Sequence, residues 1–160
     1  MVTMMKKAKR IHISSNANLV FESRSQITGA KPLGLWYGIG QSWQEWCEEE
    51  MPHWVHDYSY IIEPDLSKML IISNEKEFEE FHKKYSSDSW KTYTWEIDWA
   101  AVAKDYDGIE ISPYLPNFRM STQHLWYYGW DIASGCIWHM PNMKMKRTKT
   151  ITKKQKEKTK

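Results

Sequence analysis

Three kinds of side chain in this sequence have the chemistry to act on a ligand. The first is His12, set between two isoleucines in Arg10-Ile11-His12-Ile13-Ser14. An imidazole both accepts and donates hydrogen bonds near neutral pH, which suits it to a ribose hydroxyl or an amide. A lone histidine in the middle of a strand more often serves a purely structural role. The second is a carboxylate. Asp131 follows the aromatic run Trp126-Tyr127-Tyr128-Gly129-Trp130, and Glu110 stands between Ile109 and Ile111. On a strand, Glu110 points away from the face that its neighbours bury, toward solvent or a cleft. A carboxylate so placed steadies a developing positive charge, and Asp131 would serve otherwise as a turn residue. The third kind is the indole. Trp43 and Trp46 lie at helical spacing, and such rings either pack a core or stack against a base, a sugar or a nicotinamide.

Other chemistries find less support. Cys47, His53, His56, Cys136 and His139 include a His-x-x-His and a Cys-x-x-His, but no paired Cys-x-x-Cys of a structural zinc site. No metal is expected, and the two thiols read as small core residues. There is no phosphate loop and no Gly-x-Ser-x-Gly elbow.

These residues need elements to hold them. Residues 10–14 alternate like a half-buried strand, and Leu33–Gly38 reads as a second strand whose glycines allow close approach of another element. A helix then starts at Ser42, with Ser42 as cap and Glu45 as its partner, and stops before Pro52. Strands are expected at Tyr58–Ile62, Lys68–Ile72, Ile109–Ile111, Trp126–Trp130 and Cys136–Trp138. Asn74 caps a helix over Glu75–Tyr85, whose Phe78, Phe81 and Tyr85 share a face. A short helix follows over Trp99–Asp105, and 114–123 reads as a surface loop. So few helices among so many strands predict an α+β domain rather than a doubly wound sheet.

The chain has 160 residues, ten of them Trp and nine Tyr. That composition excludes disordered, collagen-like and coiled-coil chains. No apolar stretch approaches the ~20 residues of a membrane span, and no signal peptide is visible, so the expected location is cytoplasmic, with free thiols. The formal charge of +2 is unevenly placed. Residues 144–160 hold nine Lys/Arg and one Glu, and residues 1–10 add Lys6, Lys7, Lys9 and Arg10, which leaves −10 for 11–143. The expected organisation is a basic arm at 1–9, a globular domain at 10–143 and a basic, disordered tail at 144–160. Such a tail either solubilises the chain or contacts phosphates.

The order of these features resembles the ADP-ribosyltransferase superfamily, in its small bacterial and phage branches. The matching stretches are Arg10–Ser14, Lys31-Pro32-Leu33-Gly34-Leu35-Trp36-Tyr37-Gly38, Ser42–Trp46, Tyr106–Ile111 and Asp131–Trp138. The resemblance implies two small mixed or antiparallel sheets forming a split sandwich with two or three helices. It implies NAD held between the sheets, cleavage of the nicotinamide–ribose bond, and transfer of ADP-ribose to a macromolecule in the cytoplasm, the host's if the chain is phage-encoded. By position, His12 takes the ribose, with Arg10 as its competitor and Ser14 nearby. Tyr37, beside Trp36, holds the nicotinamide, Trp43 or Trp46 stacks on it, and Asp131 is the acid. Two departures stand out: no Gln/Glu-x-Glu pair precedes the final strand, and the acid is an Asp four residues before Gly135. Either departure implies that Glu110 is the acid instead, or that catalysis is lost. The acceptor is a protein, or a nucleic acid met through the basic tail. The contrasting reading is an aromatic-rich binding module or phage-type inhibitor that contacts nucleic acid or a protein without chemistry.

Overall fold

A computed structural model describes residues 8–86 and 94–150. The chain is α+β. Among the described residues nine strands occur, in order β1 (Arg10–Ser14), β2 (Thr28–Gly29), β3 (Leu35–Ile39), β4 (Tyr58–Glu63), β5 (Met69–Ile72), β6 (Ile97–Asp98), β7 (Gly108–Ile111), β8 (Ser134–Ile137) and β9 (Lys144–Lys149). The helices are α1 (Ser42–Glu50), α2 (Glu75–Tyr85), α3 (Trp99–Asp105) and α4 (Pro116–Arg119).

Seven strands form one mixed sheet in the order β5-β7-β8-β3-β1-β4-β9, and β2 pairs with β6 in a second, two-stranded sheet. Among the described strands only β5 and β7 run parallel, and α2 and α3 lie on the connection between them. Two sheets are present as expected, but they are unequal: the larger is one continuous seven-stranded sheet and only the second is small. The larger sheet is pinched in the middle, because β1 and β3 share only the pairs Arg10↔Ile39 and Ile11↔Gly38.

Both faces of the sheet are covered. On one face Ile72, Ile109, Ile111 and Cys136 meet Phe78 and Phe81 of α2, Trp99 of α3, and Trp126 and Trp138. On the other face Tyr37, Tyr60, Ile62, Met69 and Ile137 pack with Met140, and Leu19 and Phe21 close over them. This is why every residue of β7 and β8 is buried instead of alternate ones.

Helix α2 forms where its spacing and cap predict. The Asn74 side chain accepts from the Glu77 backbone N–H at 2.8 Å, and Glu77 reaches back to the Ser73 N–H. Helix α3 is capped likewise by Asp98. Helix α1 differs from expectation: Gln41 is its N-cap with no side-chain bond, and the Ser42 hydroxyl donates to the Ala133 carbonyl instead.

Three further expectations are corrected. The segment 122–129 is a 3-10 helix with a kink at His124, where Trp126–Trp130 reads as a strand. Trp126, Tyr127 and Trp130 are all buried and Tyr128 is exposed, a spacing that one helical face satisfies and a strand does not. Within 114–123, Pro116 opens the short helix α4, which buries Phe118. The basic segment expected to lack structure instead begins as β9, all six residues of which pair with β4. Its backbone finds ladder partners without needing a core of its own. The remainder, 151–160, and residues 1–7 of the expected arm lie outside the described residues. No helix among the described residues is long and apolar enough to cross a membrane.

Candidate functional site

A cavity of about 410 Å³ opens against the sheet at the β1–β3 pinch. Strand β1 gives it His12 and Ile13, and β3 gives Trp36, Tyr37 and Gly38. Helix α1 adds Trp43 and Trp46, and Trp54 follows from the turn after it. Gly129, Trp130, Asp131, Ile132 and Ser134 close the other side, with Lys31. Gly38 is what lets α1 come so near: a Cβ there would stand 2.7 Å from the Cβ of Trp43.

Five indoles therefore face one space. Trp43 and Trp46 stack with centroids 5.2 Å apart and planes 15° apart, and Trp54 lies 6.1 Å from Trp43. Trp36 and Trp130 meet edge to face at 5.0 Å. Trp130 is buried, and its Nε1 has no hydrogen-bond partner among the described residues. A buried donor left unpaired costs about 1–3 kcal/mol, so an acceptor brought by a ligand would recover it.

His12 takes a defined form. Beyond the Ile11↔Gly38 pair the strands diverge, and Nδ1 of His12 meets the Trp36 carbonyl at 2.5 Å. A carbonyl only accepts, so Nδ1 carries the proton and Nε2 is left as an acceptor. Burial pushes the imidazole below its ordinary pKa, with the Trp36 bond opposing and His56 reinforcing, which keeps the ring neutral.

Asp131 is held by Arg119, whose Nη2 donates to Oδ1 at 3.2 Å. The Lys31 ammonium sits 5.3 Å from the Trp36 ring centroid. Burial lowers the Lys31 pKa, and the Asp131 charge partly restores it. The cavity thus joins an aromatic slot, a neutral acceptor, one carboxylate and one cation.

Of the residues singled out from sequence, His12, Trp36, Tyr37, Trp43, Trp46 and Asp131 meet at this cavity. Arg10, Ser14 and Glu110 are not among its lining. The Ser14 hydroxyl accepts from the Asn16 N–H. Glu110 faces neither solvent nor the cleft. It is 4 % exposed, and it accepts from Tyr37 Oη at 2.7 Å and from Arg10 Nε at 2.6 Å. Burial first, and then the Glu110 charge, push the Tyr37 hydroxyl well above its ordinary pKa.

Trp54, Trp130, Lys31 and Ser134 were not identified as site residues. Trp130 and Lys31 lie within stretches already conspicuous for aromatics and glycine, but nothing in the spacing around Trp54 marks it. Cys47 and Cys136 are buried free thiols, and His139 bonds Ser23. No group of three or more metal-ligating side chains converges among the described residues. Comparison with protein-family models, curated proteins and solved structures finds no match.

Proposed function

We propose that the chain is an NAD-dependent mono-ADP-ribosyltransferase, with an ADP-ribosyltransferase-like fold, and that the cavity takes the nicotinamide riboside end of NAD. The observation that carries this reading is the meeting of five indoles, a neutral imidazole and a single carboxylate in about 410 Å³. Such a volume lies within the ~300–1,000 Å³ of ordinary ligand sites. NAD supplies a flat, positively charged ring that is itself the leaving group, and the indole faces of Trp36, Trp43 and Trp46 suit that charge. Trp130 Nε1 is a donor in want of a carbonyl such as a carboxamide.

The roles of the protein groups follow. His12 Nε2 accepts from a ribose hydroxyl and fixes the sugar. Asp131, oriented by Arg119, is the carboxylate assigned to stabilise the positive charge that grows on the ribose as the C–N bond breaks. The bonding pair leaves with nicotinamide, and the acceptor's nucleophile bonds to the same carbon and gives up a proton. The protein contributes positioning and charge rather than covalent chemistry. Lys31 suits an anionic group beside the slot.

The test is incubation of the protein with NAD labelled in its adenylate half and a cell lysate. Label on macromolecules, absent with Asp131→Ala, supports the enzyme. No transfer together with no heat of NAD binding rejects it. A second reading, a binder of a flat cation without chemistry, is favoured by the Arg119–Asp131 contact, which already occupies one carboxylate oxygen. It predicts NAD binding without loss of nicotinamide.

A further inference from the structure

The register of the sheet joins the cavity to a row of cations. Gly38 pairs with Ile11, Ile11 with Ile61, and Ile61 with Lys146. Directly paired residues point to the same face, so Lys146 shares the face of Gly38, over which α1 sits. Lys144 is two residues away and shares that face, opposite Glu63. Strand β9 lies two strands beyond β1, about 10 Å at the usual interstrand spacing.

Strand β9 is also the sheet edge. Lysine on an edge strand commonly blocks unwanted pairing. Here the density goes further: four of the six residues in Lys144–Lys149 are cationic, and Glu63 is the one carboxylate in either β9 or β4. Arg147 is committed locally, donating to the Ala17 carbonyl and covering Tyr58, whereas Lys144, Lys146 and Lys149 are exposed. Against a body of −10 over 11–143 this edge strand is sharply positive, with Lys144 and Lys146 on the cavity's face of the sheet and Arg147 and Lys149 on the opposite one.

We infer that β9 is a docking strand for single-stranded nucleic acid, with phosphates on Lys144 and Lys146 and an unpaired base directed toward the tryptophan cavity. Alternate residues on a strand stand about 7 Å apart, comparable to successive phosphates of an extended single strand. The tryptophans supply the stacking platform such ligands use. A duplex keeps its bases paired and offers the cavity nothing to stack. The inference does not rest on NAD chemistry; it holds for a binder as for a transferase.

The test is fluorescence anisotropy of the full chain with a labelled twelve-nucleotide oligothymidylate, without NAD, at 50 and 200 mM salt. The comparators are a duplex of equal length and an acidic peptide. Single-strand binding that exceeds duplex and peptide binding is expected. K144Q/K146Q should weaken it about tenfold at 50 mM and lower the slope of log K against log salt by about 1.4. K153Q/K154Q serves as the second variant, and the thermal midpoint of each variant reports folding. No binding at 50 mM, equal binding of the duplex, preference for the peptide, or loss in K153Q/K154Q with none in a folded K144Q/K146Q would each overturn the assignment. Failure here leaves the lysate-labelling result untouched.

Discussion

The Tyr37 ring crosses the sheet over Gly135, its strand-pair partner, and so reaches Glu110 on the next strand with its hydroxyl. A Cβ at position 135 would overlap the Tyr37 ring carbon and its hydroxyl. Gly135→Ala must therefore displace a tyrosine that is already fixed at its tip. We expect a loss of about 1–3 kcal/mol, the usual cost of overpacking, measured by urea unfolding. A loss under about 0.5 kcal/mol would show that the ring has room to move.

Glu110 neutralises Arg10 in that same network. Glu110→Gln leaves a half-buried guanidinium without its charge partner and should cost about 2–4 kcal/mol, whereas Tyr37→Phe removes one hydrogen bond and should cost about 1–2 kcal/mol. The double variant should lose less than the sum, since both act on one carboxylate. Strict additivity in denaturant titrations would refute the network.

The buried pair His82 and His124 makes stability depend on acid. Burial, and then His124 nearby, push His82 from 6.5 to about 4, while Glu79 opposes. In the fold its Nδ1 accepts from Trp126 Nε1. A depressed base is protonated more readily when unfolded. Its contribution is complete above pH 6.5 and is lost as pH falls from 6.5 to about 4. The loss is at most about 3 kcal/mol. Unfolding followed through tryptophan emission at steps across that window should show the decline, and His82→Gln should flatten it. An unchanged slope in that variant would assign the effect elsewhere.

If the NAD reading is right, Asp131→Ala should lower kcat about 100-fold or more, because a charge that acts on the developing cation is missing. Arg119→Ala should change stability by no more than about 1 kcal/mol, as partly exposed ion pairs do, yet lower kcat through a less ordered Asp131. Nicotinamide release measured on both separates these effects. Equal rates in wild type and Asp131→Ala would remove the aspartate from the chemistry.

Much of the frame was legible in the residues. The alternation at 10–14, the Asn74 cap and the Phe78-Phe81-Tyr85 spacing are local signals, and local energetics decided them. Gly38 announced a close approach, and α1 makes it. The aromatic run at 126–130 misled because β-propensity speaks for single residues, while the burial of Trp126 with Trp130 was set by helices packed around them. Glu110 was misread for a related reason. Alternation correctly turned it from its isoleucines, but this sheet is buried on both faces, so turning away from one core meant entering another. The start of β9 lacked any core signal, since its order comes from the β4 backbone.

The two-pair contact between β1 and β3 makes the sheet a book with a narrow spine. One leaf is β5-β7-β8-β3, the other β1-β4-β9, and the tryptophan slot lies along the fold line. A guest there rests on both leaves at once. Its arrival should stiffen the molecule across its width, and the Gly40 amide, which donates to the Lys9 carbonyl across that line, should then slow its exchange with deuterium more than the Ile39 amide, which donates to Ala133 within one leaf.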